Sequence, residues 1–141
     1  MRSRRRRRAF TLIELLVVLV ILGLLAALVV PRFLGRMSEG QEKAARAQIS
    51  HFKQALDLYY LDNNQYPTTA QGLEALITRP NPAPPRWREP YLKDVTAIPP
   101  DPWGNPYSYE SDGREYLITS RGPDGQEGTD DDIRSDNLQA N

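Results

Sequence analysis

The 141-residue chain has no cysteine and a single histidine, His51. The first absence excludes a disulfide framework, thiolate metal sites and a cysteine nucleophile. The second excludes a two-histidine metal site, and a Ser-His-Asp triad would have to run through His51, inside a strongly helical stretch. No phosphate-binding loop pattern occurs. Positive charge is also scarce beyond the start of the chain. The formal net charge of zero conceals this, because six arginines fall within the first eight residues; without residues 1–9 there remain 12 basic against 18 acidic side chains. A chain of that polarity is a poor nucleic-acid binder once its basic tip is gone.

What is present first is a long apolar run. Leu15 to Val30 is 16 residues without charge and with one glycine, Gly23; counted from Phe10 the run is 21 residues with a single charge, Glu14. As a helix this spans roughly 30 Å, the thickness of a bilayer's hydrocarbon core. A chain this small could not cover such a helix on all sides, which argues against a buried soluble helix. The basic block Arg4 to Arg8 precedes the run, so the N-terminus is expected to stay cytoplasmic while the remainder crosses. The run ends in Val29-Val30-Pro31-Arg32 with no Ala-x-Ala pattern, so it reads as retained rather than as a cleaved secretory signal. Glu14 has two readings: an interfacial glutamate near the end of the segment, or a charge awaiting a partner. A free α-amino group on a neighbouring subunit would serve, were the chain to begin a few residues before Glu14.

From Glu39 to Leu61 the pattern becomes amphipathic. Ala45, Ile49, Phe52, Leu56 and Tyr59 recur at spacings of four and three, one helical face expected to be core, with His51 just off it. Gly35 and Gly40 mark weak points, Pro31 is expected to kink or loosen the helix, and Asp62-Asn63-Asn64 to stop it. Thr68, with Gln71 three residues on, reads as the N-cap of a second, short helix whose apolar face is Leu73, Leu76 and Ile77. Nine of the 12 prolines lie between Pro80 and Pro106. They exclude regular helix and leave a packed irregular loop or a disordered linker; two tryptophans favour the packed loop, held by Trp87, Tyr91, Leu92, Ile98 and Trp103. Tyr107–Glu110 and Glu115–Ser120 read as strands joined by a turn at Asp112-Gly113. The fold class is therefore α+β, a long helix packed on a small antiparallel sheet.

The segment Gly122-Pro123-Asp124-Gly125-Gln126-Glu127-Gly128-Thr129-Asp130-Asp131-Asp132-Ile133 combines three glycines with five acids. A solvated acidic tail and a calcium loop are both compatible with that composition. Calcium takes six to eight oxygen ligands in flexible geometry, and glycines let a loop turn carbonyls and carboxylates onto one point. The EF-hand pattern is absent.

Ala9-Phe10-Thr11-Leu12-Ile13-Glu14-Leu15-Leu16 resembles the processing site of type IV pilins and pseudopilins. The resemblance implies that residues 1–9 are a leader removed by a prepilin peptidase between Ala9 and Phe10. Phe10 is then N-methylated, and Glu14 becomes the fifth residue of the mature chain. The family normally carries glycine where this chain has Ala9. Asn63-Asn64-Gln65-Tyr66-Pro67-Thr68-Thr69-Ala70-Gln71-Gly72-Leu73-Glu74-Ala75-Leu76 and Asp101-Pro102-Trp103-Gly104-Asn105-Pro106-Tyr107 are similar to the major pseudopilins of type II secretion, and with the N-terminal motif they extend the likeness from Phe10 to Ile133.

The likeness implies a pilin-like fold with a filament-core helix over 10–31 and a periplasmic head over 32–141. It implies no enzyme but a structural subunit, single-pass in the inner membrane of a Gram-negative bacterium, whose homopolymer drives folded exoproteins outward. Phe10 and Glu14 carry assembly. The implied partners are minor pseudopilins, the prepilin peptidase and methyltransferase, and an inner-membrane assembly platform with its cytoplasmic ATPase. The implied cofactor is calcium, held by Asp124, Asp131 and Asp132 with the backbone carbonyls of Arg121 and Gln126; Asp130 is an extra acid without an assigned role. Rival readings are a type IV major pilin for adhesion or motility and a membrane-anchored periplasmic enzyme. Many such pilins close the C-terminal region with a disulfide, which a chain without cysteine cannot do.

Overall fold

The computed structural model describes residues 9–88 and 90–138. The basic block Arg4 to Arg8 lies outside the described residues. Helix α1, Leu12–Asn63, is a single element with Pro31 inside it. The chain nevertheless divides into two compact units between Met37 and Ser38.

In the first unit the side chains from Phe10 to Val30 are exposed, Leu15 by 55% and Leu24 by 69%. By length and composition this stretch of α1 can cross a membrane.

In the second unit the predicted stripe is the core. Ala45, Ile49, Phe52, Leu56 and Tyr59 are fully buried, joined by Ala55, Leu73, Ala75, Leu76, Ile118 and Ile133. Each large apolar side chain so buried contributes about 1.5–3 kcal/mol. His51 is exposed. Helix α1 ends at Asn63, and Asn64 takes a positive φ of 57° that closes the terminus.

No α-helix begins at Thr68. Thr68 N–H does donate to Gln71 Oε1 (2.9 Å), and Gly72 N–H reaches Thr68 O (3.0 Å) in one isolated turn. Gly72 then adopts φ 64°, ψ −174°, which leaves the α path, and the chain continues as the 3-10 turn η1, Leu73–Leu76. Beyond it, Trp87, Tyr91, Leu92, Ile98 and Trp103 pack partly buried against the core. Trp87 Nε1 donates to Ala75 O (3.0 Å), and the Tyr91 hydroxyl donates to Asp62 Oδ2 (3.1 Å).

The sheet has the order β1-β2-β3, all antiparallel, with β1 Ser108–Ser111, β2 Tyr116–Ser120 and β3 Ile133–Arg134. The hairpin loop is four residues, 112–115, rather than a two-residue turn. Asp112 Oδ1 accepts the N–H groups of Arg114 (2.8 Å) and Glu115 (2.9 Å), which also hold its carboxyl below the usual range. Strand β3 pairs Ile133 with Ser120, so the intervening acidic segment leaves and re-enters the same sheet.

Candidate functional site

The residues singled out in the sequence lie at two places. At the first, Thr11 and Glu14 close the N-terminus of α1 reciprocally: Thr11 N–H donates to Glu14 Oε2 (3.0 Å), and Glu14 N–H donates to Thr11 Oγ1 (3.3 Å). This is a capping box, which satisfies two helix-end donors. The Glu14 carboxylate therefore has a partner within its own chain. Thr11 is a capping residue outside the candidate site residues, although the Thr-x-x-Glu spacing before an apolar run is its signature. Ala9 and Phe10 precede the helix and are exposed.

The second place is the acidic segment. Gly122, buried with φ 61°, is its pivot: a Cβ there would collide with the carbonyl oxygen of Asp131 and lie 2.9 Å from Asp131 Oδ2. The two ends of the segment thus meet at a position only glycine can occupy. Asp131 Oδ1 accepts the Thr129 hydroxyl (2.6 Å), and its Oδ2 accepts Asp124 N–H (3.1 Å). These bonds, the hydroxyl first, pull the Asp131 carboxyl below the usual range. Asp124 turns its own Oδ1 onto Gln126 N–H (2.8 Å). Asp132 Oδ2 accepts Gly128 N–H (2.7 Å), while its Oδ1 is buried without a partner. The Gln126 carbonyl lies 3.1 Å from the same Thr129 hydroxyl, whose proton the nearer Asp131 Oδ1 takes. Asp130 is exposed and makes no hydrogen bond or ion pair among the described residues.

The structure therefore brings Asp131 against the backbone of Asp124 but leaves the three carboxylates turned toward N–H donors. Among the described residues no group of three acids or histidines is gathered closely enough to hold a metal. The donor chemistry still fits a hard cation: carboxylates and carbonyls, no nitrogen or sulfur, and one buried carboxylate oxygen, Asp132 Oδ1, with nothing to satisfy it.

The segment is also tied to its surroundings. Glu127 Oε2 accepts the Ser108 hydroxyl (3.0 Å) from β1 and lies 3.7 Å from Arg121 Nη2.

Comparison with known proteins bears on the family. Residues 32–136 match the family model for protein G of the type II secretion system, and residues 4–30 match the prokaryotic N-terminal methylation motif. The type II secretion system core protein G of Aeromonas hydrophila is 49% identical over 97% of this chain and 97% of its own length. That of Pseudomonas aeruginosa is 48% identical over 92% of each. The crystal structure of the major pseudopilin from the type 2 secretion system of enterohaemorrhagic Escherichia coli is similar at 37% identity and a TM-score of 0.63, covering 72% of this chain and 87% of that one. The chain belongs to the protein G family of the type II secretion system.

Proposed function

We propose that this chain is the major structural subunit of a type II secretion pseudopilus, a membrane-anchored pseudopilin and not an enzyme. The observation that supports it is the pairing, in one chain, of an exposed apolar helix start carrying a single carboxylate with a compact head similar to a solved major pseudopilin. Apolar side chains from Phe10 to Val30 are exposed, so lipid covers them before assembly and neighbouring copies after it. The matched methylation motif supports cleavage between Ala9 and Phe10 and methylation of Phe10 by a prepilin peptidase. Glu14 then faces the new α-amino group of a neighbour. Growth of the filament from the inner membrane, driven by a partner ATPase and its platform with minor pseudopilins, pushes folded exoproteins outward. The type IV pilin reading is disfavoured, because the named relatives are secretion proteins.

In the head, Asp124, Asp131 and Asp132, with the carbonyls of Arg121 and Gln126, would hold calcium. The ion would neutralise the carboxylates and cross-link the two ends of the segment. Until then the chain's own donors do this work, with Asp124 N–H and the Thr129 hydroxyl shielding Asp131 and Gly128 N–H holding Asp132.

Complementation tests the reading. In a bacterium lacking its own major pseudopilin, expression of this chain restores release of type II substrates and leaves twitching motility unchanged. Restored motility without secretion would return the type IV pilin reading.

A further inference from the structure

Outside the acidic segment lies a second acid that the function does not yet use. Asp101 stands among the prolines, yet it is only 3% exposed. No cation neutralises it among the described residues; hydrogen bonds do. Its Oδ1 accepts the N–H groups of Trp103 (3.1 Å) and Asn105 (2.8 Å), and its Oδ2 accepts the hydroxyl of Ser120 (2.7 Å). A buried carboxylate is tolerated only when its oxygens are occupied in this way.

One set of bonds leads into the acidic segment, and the other holds a side chain against it. Ser120, fully buried at the end of β2, accepts Gly122 N–H at its hydroxyl oxygen (3.4 Å). Gly122 is the residue against which Asp131 closes. Asn105, held at both its N–H and its carbonyl by Asp101 (2.8 Å each), places its side chain beside Gly125, 3.4 Å from where a Cβ would stand. Gly122 and Gly125 flank Asp124. One buried carboxylate is thus bonded through Ser120 to Gly122 and holds Asn105 beside Gly125, on either side of a proposed ligand 23 positions away in the sequence.

We propose that Asp101 is a positioning residue for the calcium loop, acting through Ser120 on Gly122 and through Asn105 on Gly125. The proposal rests on the reading of the acidic segment as a calcium site. A carboxylate suits the task because it only accepts. An amide at the same place would turn a donor toward Ser120, and the hydroxyl proton would lose its acceptor.

The test uses the full chain in detergent, with calcium affinity measured by titration calorimetry and melting followed in chelator. Ser120→Ala changes shape least, and Asp101→Asn keeps the bonds to Trp103 and Asn105. Each is expected to weaken calcium binding by about tenfold, the scale of one buried hydrogen bond. Because both act through one chain of bonds, the double variant is expected to bind about as weakly as the weaker single variant. Asp62→Asn, a carboxylate bonded to Tyr91 far from this chain of bonds, leaves affinity unchanged. Wild-type affinity in both single variants, with only a lower melting temperature in chelator, would make Asp101 a mere staple and overturn the proposal. Fully additive losses would overturn the route through Ser120. A wild-type chain that takes up no calcium would remove the calcium reading itself, and this inference with it.

Discussion

Glu14 illustrates how much one side chain can be asked to do. Within its own chain it caps α1 with Thr11, a contact worth about 1 kcal/mol. In a filament it is proposed to pair with the α-amino group of a neighbouring Phe10, and breaking such a buried pair costs about 3–5 kcal/mol. The two roles separate by substitution. Glutamine serves at this position of a capping box, but it carries no charge. Glu14→Gln and Glu14→Val are therefore both expected to yield processed, membrane-inserted protein and no filaments on electron micrographs. Filaments from Glu14→Gln but not from Glu14→Val would assign the residue to capping instead. The sequence exposed Glu14 because a lone charge in an apolar run stands out. It exposed Thr11 as well, by spacing, but a polar residue beside a basic leader draws less notice. Asp101 was unreadable as a buried acid, since nothing local tells a carboxylate among prolines that its partner will be a serine at the end of a strand.

At the scale of elements, periodic features were legible and non-local ones were not. The stripe from Ala45 to Tyr59 is entirely buried, because helical periodicity repeats over several turns and averages out exceptions. The second, short helix is present as the 3-10 turn Leu73–Leu76 with Leu73 and Leu76 buried, but it starts after Thr68 because Gly72 takes a conformation off the α path. Strand β3 is two residues long and sits inside an acidic motif, so its pairing with β2 has no local signature. The acidic segment's glycines differ from one another in a way sequence cannot reveal. At Gly122 a methyl group meets backbone, whereas at Gly128, with φ 91°, it meets nothing within 4 Å. Gly122→Ala is thus expected to destabilise the head by about 2–3 kcal/mol, combining backbone strain with displacement of Asp131. That corresponds to a drop of about 10 °C or more in melting temperature. Gly128→Ala should cost less, being strain alone. Near-ultraviolet signals of Trp87 and Trp103, both packed on the core, follow the transition in chelator. Equal losses at the two glycines would deny Gly122 its closing role.

For the whole molecule, the calcium reading makes stability depend on an ion outside the chain. A ligand that binds only the folded state adds about 2.7 kcal/mol at one hundred times its dissociation constant. The head is therefore expected to melt about 10 °C or more higher in calcium than in chelator. Magnesium should substitute poorly, given its demand for a tight octahedral shell. Asp124→Ala should abolish the shift, and Asp130→Ala should largely preserve it, since Asp130 points to no partner while Asp131 and Asp132 are drawn inward. Indifference of the melting curve to calcium would make the segment an ordinary acidic tail. The pairing of Ser120 with Ile133 bears on how such a response would unfold in time. Both feet of the segment are fixed in one ladder, so the entropy of closing it is lost when the sheet forms and not when the ion arrives. Ion uptake would then have only a few side chains to reorient, which would make it a fast, local stiffening. On the calcium reading, the head would stay folded while the concentration around it rises and falls, and its rigidity would become a quantity the surroundings can set.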